Sequence, residues 1–191
     1  MVDFKGPEQG RPMNLILAAL DLHAPAAFRK RVLRSLFSAT ARAFGVTPPS
    51  TRGLSAPDLL RAYALFTRAE AERLWTEKGD EEGVERRLFD SAKEIGAGLR
   101  RTFRLRSGED VMRMSRVVYG ALGIDFEGAP DGSIKISRCA FSQFYTGRVC
   151  RLISALDAGA AAGLSGGGRL EFSQRMTEGP DCCLARLSFG E

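Results

Sequence analysis

Through the first two thirds of the chain, apolar residues return every three or four positions; after Gly123 the interval shortens to two. Behind Pro25, the residues Phe28, Val32, Leu33, Leu36, Phe37 and Phe44 mark one helical face, and Gly45 supplies a stop. Thr47-Pro48-Pro49-Ser50 reads as a linker. Ser55-Ala56-Pro57-Asp58 combines an N-cap, an early proline and an acidic first turn. It predicts a helix through Leu59, Leu60, Tyr63, Leu74 and Trp75 that Gly79-Asp80 breaks. Leu88, Phe89, Ala92, Ile95, Leu99 and Phe103 form the next stripe. Ser107 and Asp110 have the spacing of a capping box, with Asp in place of Glu or Gln, before a helix carrying Val111, Met114, Val118, Ala121 and Leu122 up to Gly123. Such stripes are core faces.

Beyond Gly123 the pattern is that of strands and one helix. Ile124-Asp125-Phe126 predicts a short strand, Pro130-Asp131-Gly132 a turn, and Ser133-Ile134-Lys135-Ile136-Ser137 a half-buried strand. A helix is expected over Gly147 to Ala158, with Val149, Leu152, Ile153 and Leu156 inward, followed by a loop over the glycine-rich Gly163 to Gly168. Leu170, Phe172 and Met176 alternate with polar residues, as do Cys183, Ala185, Leu187 and Phe189, with Glu178-Gly179-Pro180-Asp181 between them. The whole is an α+β chain: a helical N-terminal half, and a small antiparallel sheet packed by helices in the C-terminal half. Residues 1–54 read as an N-terminal arm and helix, and residues 55–191 as the α+β domain, with any site expected within 108–190.

Composition narrows the chemistry. The 191 residues hold one histidine and four cysteines, so multi-histidine zinc or iron sites are impossible within one chain. The formal charge of +5 comes mostly from arginines, gathered in Arg29-Lys30-Arg31, Arg86-Arg87 and Arg100 to Arg106. Without interleaved aromatic residues or a recognition motif, these read as solvated helix faces, which argues against a nucleic-acid partner and leaves a protein partner or a second copy of the chain open. The N-terminus lacks a basic segment leading into a long apolar core, and the longest apolar run, Leu15 to Leu20, is far short of the roughly 20 residues that cross a bilayer. A cytoplasmic protein with no membrane partner is the expectation, and its cysteines are then thiols rather than disulfides. The glycines at 163–168 fit neither phosphate-loop pattern and precede a strand, so they read as a plain loop.

All four cysteines, Cys139, Cys150, Cys182 and Cys183, fall in the last third of the chain. Cys139 ends a strand. Cys150 and Asp157 lie seven residues apart, on one face if a single helix spans both. Cys183 shares the inward face of the last strand with Ala185 and Leu187, and Cys182 points away. A sheet packed by that helix would bring Cys139, Cys150, Asp157 and Cys183 towards one pocket. Three readings stand side by side: small buried core residues; zinc ligands, with Cys139, Cys150 and Cys183 as the thiolates; or a reactive thiol or acid–base pair acting on a small molecule.

The order Ile134-x-Ile136-x-x-Cys139, Cys150, Leu156-Asp157, Gly163-Leu164, Leu170-x-Phe172 and Thr177-x-Gly179-x-x-x-Cys183 resembles the C-terminal half of the L-2-amino-thiazoline-4-carboxylic acid hydrolase-like family. It is also similar to the 4-vinyl reductase-like small-molecule-binding domains. The resemblance spans about residues 108–190 and implies a hydrolase opening a cyclic C–N bond in a thiazoline carboxylate. The alternative it offers is a non-catalytic ligand- or metal-binding sensor. Transferred by position, Cys139, Cys150, Asp157 and Cys183 would line the pocket. The mechanism expected there has Asp157 as general base or Cys139 as nucleophile at the C=N carbon, with Tyr145, Cys150, Arg175 and Cys183 as ligand-binding residues and an arginine such as Arg175 holding the carboxylate. No cofactor is required in the hydrolase reading, and zinc enters only with the three-cysteine alternative.

Overall fold

The computed structural model describes residues 25–190; the expected N-terminal arm and His23 lie outside the described residues. Four helices come first: α1 (Ala26–Phe44), α2 (Ala56–Thr76), α3 (Glu81–Phe103) and α4 (Gly108–Ala121). Their ends follow the local chemistry. The Ser55 hydroxyl accepts from the Asp58 N–H at the start of α2, and the Asp80 carboxylate accepts from the Gly83 N–H at the start of α3. At α4 the Ser107–Asp110 box is reciprocal, because each side chain accepts the other residue's backbone N–H. Gly45 closes α1 at φ 71°, in the left-handed region that glycine occupies without strain.

Strands β1 (Ile124–Gly128) and β2 (Ser133–Cys139) form a hairpin across the turn at Asp131-Gly132. The polypeptide then passes through α5 (Gly147–Ile153) and α6 (Ala155–Ser165) to β3 (Arg169–Gln174), a 3-10 turn at Met176–Glu178, and β4 (Cys183–Ser188). The sheet has the order β1-β2-β4-β3, with every pairing antiparallel. The fold is α+β: a helical first half and a four-stranded antiparallel sheet in the second.

Period-two alternation decides which face of the sheet meets the helices. Ile124, Phe126, Ile134, Ile136, Cys183, Ala185 and Leu187 are buried, while Asp125, Glu127, Lys135, Arg186 and Glu171 are exposed on the other face. Leu33, Phe37 and Phe44 of α1 belong to the same buried cluster as Leu59 and Tyr63 of α2, Leu88 of α3 and the inner face of the sheet. Among the described residues no helix is long and apolar enough to cross a membrane.

Three local expectations change in the structure. The single helix expected over 147–158 is broken at Ser154, whose hydroxyl donates to the Arg151 carbonyl at 2.7 Å and so competes with the helical ladder. The loop expected from Gly163 begins only after Ser165, because Gly163 sits against the backbone of α3 as a helical residue. Met176 leaves the strand for the 3-10 turn. Most of the clustered arginines lie on helix surfaces, Arg104 and Arg106 falling in the connection after α3, and two close helix C-termini: Arg87 Nε donates to the Ala43 carbonyl of α1 at 2.8 Å, and Arg100 Nη1 to the Leu164 carbonyl of α6 at 2.9 Å.

Candidate functional site

Between the inner face of the sheet and helices α1, α3, α4 and α6 lies a cavity of about 380 Å³. Its floor is the sheet, through Phe126, Ile134, Ile136, Leu170 and Phe172. Its far walls are Leu36 and Ala39 of α1, Ile95 and Leu99 of α3, Val118 of α4 with Leu122 just past its end, and Leu156, Ala160 and Leu164 of α6. The lining residues that are exposed, Arg31 and Ser35 on α1 and Thr102 on α3, place the mouth between those two helices.

All six residues nominated from the sequence, Cys139, Tyr145, Cys150, Asp157, Arg175 and Cys183, line this one cavity. They reach it from different elements: Cys139 from the end of β2, Tyr145 from the loop before α5, Cys150 from α5, Asp157 from the first turn of α6, Arg175 from the end of β3 and Cys183 from the start of β4. Cys150 and Asp157 stand on separate helices, one on each side of Ser154, and both line the cavity. Cys182 is half-buried and does not line the cavity; its thiol lies 3.4 Å from the Gln174 side-chain amide.

The polar end of the cavity is built around Asp157. Its Oδ1 accepts the Tyr119 hydroxyl at 2.8 Å. Burial raises its pKa to about 6, while the Tyr119 hydrogen bond and the positive charge of Arg175 hold the rise in check. Burial beside that carboxylate pushes the Tyr119 hydroxyl well above the ordinary phenol value, so it is a proton donor at any physiological pH. The Arg175 guanidinium rests over the Phe172 ring at 4.7 Å and donates from Nη2 to Ser154 Oγ at 3.3 Å, whereas its buried Nε has no partner. No ion pair closes between Arg175 and Asp157.

The thiols are held protonated. Burial pushes Cys139 up to about 12, and Cys150 and Cys183 also rise, with desolvation the largest cause in each case. Although the three share the cavity wall, no group of three or more His, Cys, Asp or Glu side chains among the described residues is placed to hold a metal ion. Tyr145 offers its ring to the cavity and its hydroxyl to Thr67 Oγ1; Tyr63 likewise pairs with Thr40 Oγ1 at 2.9 Å. Phe141 stacks on Tyr145 with ring centroids 5.5 Å apart. This half of the cavity is aromatic in character because its polar tips are already satisfied within the protein.

Tyr119 and Ser154 are the participants that pattern reasoning overlooks. Tyr119 sits next to Val118 at the edge of the apolar stripe of α4, and a tyrosine in that position needs a partner for its hydroxyl. That was the available signal. Ser154 carries none, since its contact with Arg175 depends on how β3 docks beside α6. Comparison with protein-family models, with curated proteins and with solved structures found no match.

Proposed function

We propose that this chain is a small-molecule-binding domain whose ligand is largely enclosed between the sheet and helices α1, α3, α4 and α6. The observation that carries the reading is the convergence of six residues from six elements on one apolar cavity of about 380 Å³. Pockets for small organic ligands span about 300–1,000 Å³, mostly apolar with a few placed polar groups, and the Asp157–Tyr119–Arg175 end supplies those groups here. The cysteines are wall residues in this reading, since protonated, desolvated thiols are poor nucleophiles and poor metal ligands. The reading keeps the resemblance to the 4-vinyl reductase-like modules as its background and needs no cofactor.

The test is binding of the neutral fluorophore N-phenylnaphthylamine to the purified chain. Saturable emission enhancement is expected in the wild type, and a loss of at least about tenfold in affinity in Leu170→Trp, which places an indole in the cavity. Absence of saturable binding in the wild type, or undiminished binding in a folded Leu170→Trp, refutes the reading.

A second reading, a hydrolase of a cyclic C–N bond, is favoured by one observation: a carboxyl near pKa 6 inside a ligand-sized cavity, the tuning that general acid–base catalysis uses. Asp157 would take a proton from the water that adds to the C=N carbon of the thiazoline ring. The tetrahedral intermediate would then collapse by breaking the ring C–N bond, Asp157 returning the proton to the leaving nitrogen to give the open-chain amine, while the Tyr119 hydroxyl holds the carboxyl in place. Cys139, held as a thiol, suits this role less. Ring opening of 2-aminothiazoline carboxylate by the wild type, reduced at least about a hundredfold in Asp157→Asn and unchanged in Cys139→Ala, is the expected pattern. No turnover by the wild type removes the reading.

A further inference from the structure

We infer that the ligand is an apolar monocarboxylate, seated with its carboxylate against Arg175 at the inner end of the cavity and its apolar body towards the mouth between α1 and α3. The inference rests on the small-molecule-binding reading above and adds the ligand's charge and direction. Its basis is the under-used guanidinium. Arg175 carries five N–H donors, of which Nη2 meets Ser154 Oγ at 3.3 Å and Nε is buried without a partner. The acid nearest in charge, Asp157, is committed to the Tyr119 hydroxyl and forms no ion pair with it. A guanidinium held in an apolar wall with spare donors is costly unless an anion completes it. A carboxylate matches its planar fork, with two parallel hydrogen bonds, better than any single acceptor.

Placement of the polar groups sets the direction. Around the inner end stand Arg175 and Ser154, with the Asp157–Tyr119 pair beside them; between there and the mouth most of the wall is leucine, isoleucine, valine and aromatic rings, with Ser115 among them and Arg31, Ser35 and Thr102 at the exposed rim. A ligand entering between Arg31 and Thr102 therefore leads with its carboxylate. The same geometry favours one negative charge over two, because Asp157 stands beside the seat and a second anionic charge would face it.

The experiment compares three probes with one apolar body, naphthylacetate, naphthylethanol and naphthylethylamine, as competitors for N-phenylnaphthylamine on the purified wild-type chain. The carboxylate is expected to compete about tenfold better than the alcohol, and the amine worse than either. Arg175→Gln is expected to abolish the preference for the carboxylate while N-phenylnaphthylamine still binds, and Arg175→Lys to restore part of it. Equal competition by acid and alcohol, stronger competition by the amine through Asp157, or an unchanged preference in Arg175→Gln overturns the inference while leaving small-molecule binding intact. Failure of the wild type to bind N-phenylnaphthylamine overturns the binding reading, and this inference with it. The wild-type comparison decides the question even if the Arg175 variants do not fold.

Discussion

Helix α6 has two faces packed on opposite principles. On one, Gly159 and Gly163 lie so close to α3 that a Cβ at Gly159 would stand 2.1 Å from the Phe89 carbonyl oxygen, and one at Gly163 2.3 Å from that of Lys93. On the other, Leu156, Asp157, Ala160 and Leu164 border a hollow. Protein interiors normally close up to crystal-like density, and an apolar hollow forfeits the dispersion contacts its walls would otherwise make. The glycine seam, completed from α3 by Gly96, brings two helix backbones together without intervening side chains. Rigid support on one face is what lets the other remain open, and that difference separates scaffold from site in this molecule.

The sharpest way to break the comparison is Gly159→Ala. An ordinary helical glycine gains roughly 0.5–1 kcal/mol from this change. Here the methyl meets backbone, and a loss of about 3 kcal/mol or more is expected in chemical denaturation. A stabilised variant would show that the seam is not close-packed.

Asp157→Asn probes the other face. The Asp157 pKa rises from 3.8 in the unfolded chain to about 6 when folded, so its favourable contribution is complete below 3.8 and is lost as pH climbs through 6. Relative to the Asn variant, the wild type should lose on the order of 2–3 kcal/mol between pH 4 and 7. Denaturation midpoints measured for both across that range should converge at the acid end and part at the neutral end. Parallel curves would show that the carboxyl is not desolvated.

A matched pair of leucines sharpens the contrast between dry core and hollow. Leu88 is fully buried in the helical core, whereas Leu156 faces the cavity and has fewer contacts to lose. Leu88→Ala should cost about 4 kcal/mol and Leu156→Ala about 2 kcal/mol, read from denaturant midpoints at constant slope. Equal costs would mean that the hollow is not open in solution. The smallest effect is expected at the mouth. Thr102→Trp should alter stability by less than about 0.5 kcal/mol while slowing association of N-phenylnaphthylamine in stopped flow. An unaltered association rate would place the entrance elsewhere.

Much of the architecture was legible because its signals are local. The Ser55 and Ser107 caps, the Gly45 stop and the alternation in β2 and β4 each depend on residues within a few positions of one another. The single helix expected across Cys150 and Asp157 is two helices for the complementary reason. At its break stands Ser154, whose side chain bonds its own backbone and also receives Arg175, twenty-one residues away. The extension of α6 through Gly163 to Ser165 was equally hidden, since only contact with α3 makes glycine preferable there.

The sequence by itself determined the elements, the inward side of each strand, and the short set of residue types able to do chemistry, because hydrophobic period, caps and residue chemistry act over one or two turns. Tertiary structure alone decided that those residues meet, that Tyr119 joins Asp157, that Cys139 remains a thiol and that a hollow persists beneath the sheet. Each of these depends on desolvation and on distances between elements far apart in the chain, and no local pattern encodes either.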